Sequence, residues 1–151
     1  MSEPVIKDFE LPSTGDTTFK LSEHRGQNVV VYFYPKDNTS GCTLEGQEFR
    51  DLYPDFAKAN TLVVGVSRDS IKSHEGFKAA HGFPFELLSD GDETVCELFG
   101  VMKLKNMYGK KVRGVERSTF VFDANGKIVK SWRGLKAPGH AAEVLAFVQT
   151  L

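Results

Sequence analysis

One thiol lies where a predicted strand gives way to a predicted helix. Cys42 follows the apolar stretch 29–34 and a turn that contains Pro35, Asn38 and Gly41, and a helical pattern begins directly after it. The first turn of a helix has free backbone N–H groups and the positive end of the helix dipole, and both favour a thiolate over a thiol. This position predicts that Cys42 is a reactive nucleophile.

Three further residues have the chemistry to complete a site around a thiolate. Thr39 carries a hydroxyl close to Cys42, and Pro35 lacks an N–H, so it can shield the loop without competing for hydrogen bonds. Arg117 stands immediately before the predicted strand 118–123. An arginine at a strand end beside a helix N-terminus can reach a thiolate, and it stays protonated. Taken singly, these residues have ordinary explanations, such as a buried cysteine, a capping threonine and a solvated charge.

The elements that must position these residues alternate along the chain. Apolar stretches rich in β-branched and aromatic residues predict strands over 29–34, 62–66, 118–123 and 127–132. Helical spacing predicts helices over 43–58, about 70–81, near 93–99, and after residue 140. The order predicts one α/β domain over residues 1–151, with a thioredoxin-like fold whose mixed β-sheet is flanked by helices on both faces.

The residues around Cys42 also match a family pattern. Pro35, Thr39 and Cys42 fit Pro-x-x-x-Thr-x-x-Cys, and Arg117 opens the block Arg-Ser-Thr-Phe. On these residues the chain resembles the peroxiredoxins, and within them the bacterioferritin comigratory protein, or Q-type, branch. The blocks Tyr-Pro-Lys-Asp-Asn-Thr-Ser-Gly-Cys-Thr and Val-Val-Gly-Val-Ser-Arg-Asp-Ser extend the resemblance over nearly the whole chain.

The resemblance implies a thiol-dependent peroxidase that reduces hydrogen peroxide and organic hydroperoxides without a cofactor. Cys42 would attack one peroxide oxygen and become a sulfenic acid. Thr39 would hold the peroxide by a hydrogen bond, Arg117 would stabilise the thiolate and the transition state, and Pro35 would cover the site. Donors aimed at developing charge commonly supply the largest catalytic effect, so these roles agree with the residue types.

The thiol that would resolve the sulfenic acid is the open question. Many Q-type relatives carry it five positions after the peroxidatic cysteine, where this chain has Gln47, and others carry it on the next helix, which has none here. In one hypothesis, an external thiol such as thioredoxin, glutaredoxin or glutathione resolves Cys42. In the other, Cys96 forms an internal disulfide after local unfolding. Cys96 lies beside Val95 and Leu98, a composition typical of a packed face, so the one-cysteine hypothesis is favoured.

Two other functions share the same residues. A dithiol oxidoreductase of the same fold needs Cys-x-x-Cys, and Glu45 stands where its second thiol would be. A non-enzymatic peroxide sensor would use the same chemistry at Cys42 and would be oxidised once rather than turn over repeatedly.

Charge and composition narrow the partners. A formal net charge of -1 gives no reason to expect nucleic acid or a membrane as partner. Two cysteines and no secretory signal predict a cytoplasmic protein, and the resemblance implies a monomer or weak dimer. The four histidines lack metal-ligand spacing, so no metal site is expected, and His74 is predicted at the surface. The basic stretch 103–111 is predicted to be a solvated loop at the mouth of the site.

Overall fold

A seven-stranded sheet lies at the centre of the computed structural model, which describes residues 6–151 except for the side chain of residue 107. The strands are β1 (Glu10–Ser13), β2 (Thr17–Lys20), β3 (Asn28–Phe33), β4 (Thr61–Ser67), β5 (Glu86–Ser89), β6 (Met102–Met107), β7 (Lys110–Val115), β8 (Ser118–Phe122) and β9 (Ile128–Arg133). The helices are α1 (Ser40–Lys58), α2 (Ile71–His81), α3 (Thr94–Leu98) and α4 (His140–Val148), with a short 3-10 helix over Leu21–His24.

The central sheet has mixed direction and the strand order β2-β1-β5-β4-β3-β8-β9. Strands β3, β4 and β5 run parallel, whereas β1 pairs antiparallel with β2 and β5, and β8 pairs antiparallel with β3 and β9. Parallel neighbours need crossover connections, and α1 and α2 supply them between β3, β4 and β5. The predicted α/β fold is confirmed.

Two hydrophobic cores lie on the two faces of this sheet. Every residue of β3 is buried, and its side chains alternate, with Tyr32 in the first core and Val31 and Phe33 in the second. Helices α1, α2 and α4 pack on the first core, and α3 packs on the second. The prediction of helices on both faces is therefore confirmed. Cys42 belongs to the first core and Cys96 to the second, so the sheet lies between the two thiols.

The helices begin and end within three residues of their predicted boundaries. Helix α1 begins at Ser40, three residues earlier than the predicted start at 43, which places Cys42 inside its first turn. Ser70 caps α2 by accepting a hydrogen bond from the backbone N–H of Ser73. Gly82 ends α2 with a φ of 61°, a conformation that glycine adopts without strain.

Most described residues of the segment 103–111 are exposed, as predicted, but the prediction that it forms a loop is wrong. This segment belongs to a separate two-stranded sheet of β6 and β7, which pair antiparallel from Met102 opposite Val115 to the end of β6. Tyr108 and Gly109 form the turn with φ values of 53° and 80°, which suits the twist of a hairpin. The sequence did not indicate these strands, because its lysines obscure the alternation of polar and apolar residues that marks a strand.

In the described part of the chain, no helix is long and apolar enough to cross a membrane.

The second core depends on Phe99, which is fully buried among other aromatic rings. Its ring centroid lies 4.9 Å from those of Phe33 and Phe120 and 5.6 Å from that of Phe9. We expect Phe99→Ala to lower the free energy of unfolding by about 3–5 kcal/mol, because it leaves a cavity that the surrounding rings cannot fill. Urea denaturation measures this.

The matched control is Tyr108→Ala, since Tyr108 is an aromatic residue that is 99% exposed. It should change the free energy of unfolding by less than about 0.5 kcal/mol. A cost at Phe99 no larger than at Tyr108 would contradict the assignment of this core.

Candidate active site

Cys42 is the third residue of α1 and is 2% exposed. Thr39 precedes the helix with an extended backbone, and its carbonyl accepts the first intrahelical bond, from the N–H of Thr43 at 2.9 Å. The Thr39 side chain makes no capping hydrogen bond to the helix. The Cys42 sulfur therefore experiences the positive potential of the first-turn N–H groups and of the helix dipole.

Sheet register brings Arg117 to this turn from 75 positions away in the sequence. Strand β8 begins with Ser118 opposite Phe33, so Arg117 lies just beyond the strand end, beside the loop that leads to α1. Its Nη2 donates to Cys42 Sγ at 3.4 Å. A Cβ added at Gly41 would lie 3.1 Å from the same nitrogen, so the absence of a side chain there lets the guanidinium approach the helix.

The other side of the Arg117 guanidinium is held by Glu45, whose Oε1 accepts from Nη1 at 2.6 Å. Burial lowers the pKa of Arg117, but the charges of Glu45 and then Cys42 outweigh it and raise that pKa. Arg117 is therefore a cation shared between a carboxyl and a sulfur.

Sequence analysis assigned no role at this site to Glu45. Its side chain is fully buried, and burial raises its pKa to about 7, although the positive charge of Arg117 acts in the opposite direction. The signal was present, because residues three apart on a helix share a face and Glu45 follows Cys42 by three. What the spacing could not show was that Arg117 lies between them.

The loop between β3 and α1 is fixed by Asp37. Its Oδ1 accepts from the hydroxyl of Tyr34 at 2.6 Å, and its Oδ2 accepts from Ser73 at 2.8 Å and from His74 Nδ1 at 2.7 Å. The backbone N–H of Asp37 donates to Asp69 at 2.8 Å. Burial raises the pKa of Asp37, but the hydrogen bonds from His74 and Tyr34 more than offset this and lower it. The carboxylate of Asp37 therefore ties the loop to α2, and its backbone N–H ties the loop to the segment after β4.

His74 is buried, so its predicted place at the surface is wrong. Its Nε2 lies 2.9 Å from the carbonyl oxygen of Leu88, which can only accept, so Nε2 carries a proton. The fold brings ligand atoms of His74, Asp37 and Asp69 within 4.8 Å of one another, although sequence spacing showed no metal-ligand pattern. In this structure these groups hydrogen-bond to the chain and hold the loop.

Thr39 and Pro35 flank this loop. Thr39 is exposed, and its hydroxyl donates to the carbonyl of Lys36 at 2.8 Å, which leaves the hydroxyl oxygen able to accept. Asn38 has a φ of 64°, the left-handed conformation that asparagine tolerates, and it turns the chain into the helix. Pro35 is half-buried at the start of the loop.

Cys96 has a different environment from Cys42. Its side chain is fully buried in the second core, and its N–H donates to Asp90 Oδ2 at 2.6 Å. Burial and the neighbouring Asp90 carboxyl raise the pKa of Cys96 far above its usual value, so this thiol stays protonated. Gln47, at the position where many relatives carry a second thiol, lies with its Nε2 3.5 Å from His81 Nδ1.

Comparison with known proteins supplies the family. The AhpC/TSA family model matches residues 4–131. Peroxiredoxin Bcp of Xanthomonas campestris is 53% identical over 139 residues, which are 92% of this chain and 87% of the relative. Peroxiredoxin Bcp of Bacillus subtilis is 46% identical over 138 residues, 91% of this chain and 88% of the relative.

Solved structures agree with these relatives. Xanthomonas campestris Peroxiredoxin Q is 51% identical, with a TM-score of 0.90 over 94% of this chain and 90% of that one. Peroxidoxin BcpB from Mycobacterium tuberculosis is 34% identical, with a TM-score of 0.87 over 100% of this chain and 98% of that one. The chain belongs to the AhpC/TSA family and has the thioredoxin fold. Within it the chain is a peroxiredoxin of the Bcp, or Q-type, branch, a thiol-dependent peroxidase with a peroxide as substrate and a thiol as reductant.

The raised pKa of Glu45 makes folding depend on pH. Its usual pKa is 4.5 and its folded value is about 7, so the folded chain binds the extra proton between these values. The stability that this proton contributes is complete below pH 4.5 and is lost as the pH rises through about 7. From about pH 4 to pH 8, we expect the unfolding free energy of the parent, relative to Glu45→Gln, to fall by about 3 kcal/mol.

Urea denaturation at each pH measures this difference, with both proteins carrying Cys42→Ser so that no thiol is present at the site. The control is Glu23→Gln, which changes an exposed carboxyl and should leave the pH profile unaltered. If Glu45→Gln kept the parent's pH profile, Glu45 would not hold the extra proton.

Proposed function

We propose that Cys42 is the peroxidatic nucleophile of this peroxidase and that the enzyme works by a one-cysteine mechanism. The observation that carries the proposal is the contact of 3.4 Å between Arg117 Nη2 and Cys42 Sγ at the first turn of α1. A cation and a helix N-terminus at one sulfur favour the thiolate, which is the form that attacks.

The first half of the reaction oxidises Cys42. The thiolate attacks one oxygen of a hydroperoxide, an S–O bond forms, the O–O bond breaks, and the other oxygen leaves with the electron pair as alkoxide or hydroxide. After that oxygen gains a proton, the products are an alcohol or water and the Cys42 sulfenic acid. Negative charge moves from the sulfur to the leaving oxygen, so a fixed cation beside both stabilises the transition state.

Arg117, Thr39 and Pro35 take distinct parts in this step. Arg117 holds the thiolate and meets the developing charge, and Glu45 keeps its guanidinium in place through the contact of 2.6 Å. The Thr39 hydroxyl donates to Lys36, which supports a role in which its oxygen accepts the O–H of the peroxide. Pro35 is half-buried and has no N–H, which fits a residue that covers the site.

An external thiol completes the cycle in this proposal. Cys96 lies in the core on the opposite side of the sheet from Cys42, and a disulfide needs the two Cα atoms within about 7 Å. Joining these thiols would require much of the second core to open. The high pKa of Cys96 also keeps it a poor nucleophile. Thioredoxin, glutaredoxin or glutathione therefore reduces Cys42 from outside.

Both hydrogen peroxide and organic hydroperoxides are proposed substrates. A solved structure of the Xanthomonas campestris bacterioferritin comigratory protein, 51% identical to this chain, concerns the alkyl peroxide reduction activity of that protein. Neither thiol is in a disulfide and the formal net charge is -1, which supports a cytoplasmic protein without a nucleic-acid or membrane partner. We propose a monomer or weak dimer built from a single domain over residues 1–151, and analytical ultracentrifugation tests the oligomeric state.

Intact mass after one equivalent of hydrogen peroxide tests the one-cysteine mechanism. We expect a gain of one oxygen in the parent and in Cys96→Ser, because the oxidised sulfur is Cys42 and no second thiol condenses with it. Cys42→Ser should gain none and should lose its peroxidase activity. A loss of two hydrogens in the parent that disappears in Cys96→Ser would instead establish the internal disulfide. One stoichiometric oxidation without turnover in the presence of a thiol would favour the sensor.

Replacement of Arg117 tests the role of its two contacts. Arg117→Lys keeps the charge but cannot hold Glu45 and the Cys42 sulfur with two separate N–H groups. We expect the rate at which hydrogen peroxide oxidises Cys42 to fall about 100-fold, as for the loss of one preorganised donor. Stopped-flow kinetics measure this rate. The control is Lys127→Arg, at the other end of β8, and a similar loss there would show that the effect does not come from the site.

A further inference from the structure

The hairpin of β6 and β7 carries concentrated positive charge. Between residues 102 and 115 there are five cationic side chains and no carboxylate, although the formal net charge of the whole chain is -1. The cationic residues are Lys103, Lys105, Lys110, Lys111 and Arg113. Reduction of peroxide at Cys42 does not by itself need this charge. The charge therefore indicates a separate function of the hairpin.

Strand pairing separates these residues into two faces. Lys103 is opposite Gly114, Lys105 is opposite Val112, and Lys110 lies two residues before Val112 on β7. Because paired residues share a face and the side chains of a strand alternate, the three lysines and Val112 lie on one face. We call these four residues the lysine face. Lys103, Lys110 and Val112 are exposed, and Val112 is the apolar residue among them.

Two residues of the opposite face make contacts with the rest of the fold. Arg113 forms ion pairs with Glu93 and Glu97, and Val115 is buried in the second core. Those contacts fix the orientation of the hairpin and leave the lysine face directed away from the second core. Cys42 belongs to the first core, on the opposite face of the central sheet from the second core.

Lys105 links the lysine face to the active site. Its Nζ donates to the carbonyl of Val115 at 2.6 Å, two residues before Arg117. Burial and the charge of Arg117 lower the pKa of Lys105, whereas the charges of Glu116 and then Cys42 act to raise it. The hydrogen bond to Val115 places the ammonium beside the segment that carries Arg117.

We propose that the lysine face is the docking surface for the reductant, and that the reductant is an acidic polypeptide that carries its thiol beside an apolar residue. This inference rests on the one-cysteine mechanism proposed above. Lys110 lies opposite the end of β6, four residues of strand from Lys103, so the lysine face is about 14 Å long. This length is greater than that of a hydroperoxide group and matches a short extended peptide. Carboxylates of the partner complement the lysines, and its apolar residue meets Val112.

Docking compensates for the low accessibility of the Cys42 sulfur. Cys42 is 2% exposed, so a polypeptide thiol reaches it only when the first turn of α1 opens. The partner thiolate then attacks the sulfenic sulfur, an S–S bond forms, and the S–O bond breaks with release of water after protonation. A second thiol of the partner attacks that mixed disulfide, which frees Cys42 and leaves the partner oxidised to a disulfide. A partner held on the lysine face remains in place until the turn opens.

Two cysteine peptides of equal length provide the test. One carries glutamates on both sides of its cysteine and the other carries lysines, and each has a leucine next to the cysteine. After Cys42 is oxidised with one equivalent of hydrogen peroxide, stopped-flow kinetics follow the loss of the sulfenic acid. We expect the acidic peptide to react about tenfold faster at low ionic strength, and the difference to disappear at about 0.5 M salt.

Charge reversal locates the effect. Lys103→Glu with Lys110→Glu should remove the preference for the acidic peptide, because both side chains are exposed members of the lysine face. The matched control, Lys58→Glu with Lys127→Glu, makes the same change of charge at exposed positions near the end of α1 and beyond the end of β8, and it should keep the preference.

The outcomes separate the two proposals. If hydrogen peroxide does not oxidise Cys42 in the parent, the proposed function fails before the reductant is added. If Cys42 is oxidised and both peptides reduce it at the same rate, the docking proposal is overturned. Equal loss of the preference in both double variants overturns it as well, since a general effect of net charge would then explain the rates.

Discussion

The candidate active site depends on the guanidinium of Arg117, which donates to two acceptors on the same face of α1. Nη1 contacts Glu45 at 2.6 Å and Nη2 contacts the Cys42 sulfur at 3.4 Å. The rest of the structure makes this arrangement possible. The pairing of β3 with β8 delivers Arg117 to the helix start, Gly41 leaves room for it, and burial keeps the carboxyl and the sulfur from being solvated instead.

The loop before the helix needs equal support, because it carries polar backbone groups against a buried core. Asp37 supplies that support by accepting from Tyr34, Ser73 and His74. A strand end, a loop and a second helix thereby become one hydrogen-bonded unit. A buried network of this kind specifies one loop geometry, since each unpaired member would cost free energy.

The central sheet also separates the two thiols of the chain. It places Cys42 and Cys96 in separate cores, so oxidation at one thiol does not reach the other without opening the fold. In the one-cysteine mechanism that we propose, the thiol that reduces Cys42 therefore comes from outside the chain. The ion pairs of Arg113 with Glu93 and Glu97 hold one face of the β6–β7 hairpin and leave the lysine face on the opposite side.

The sequence by itself determined the fold class, four of the seven strands of the central sheet, the helices that flank it, and the candidates Cys42, Thr39, Pro35 and Arg117, because these rest on local patterns. Period-two and helical spacing are written in neighbouring residues, and so is the turn before a helix. The tertiary structure alone decided that Arg117 is shared with Glu45, that His74 is buried beneath the loop, and that residues 103–111 form strands. The first two depend on contacts between distant segments, which sheet register and layer packing create and local sequence does not encode. The hairpin is a local pairing, but its lysines obscured the strand pattern in the sequence.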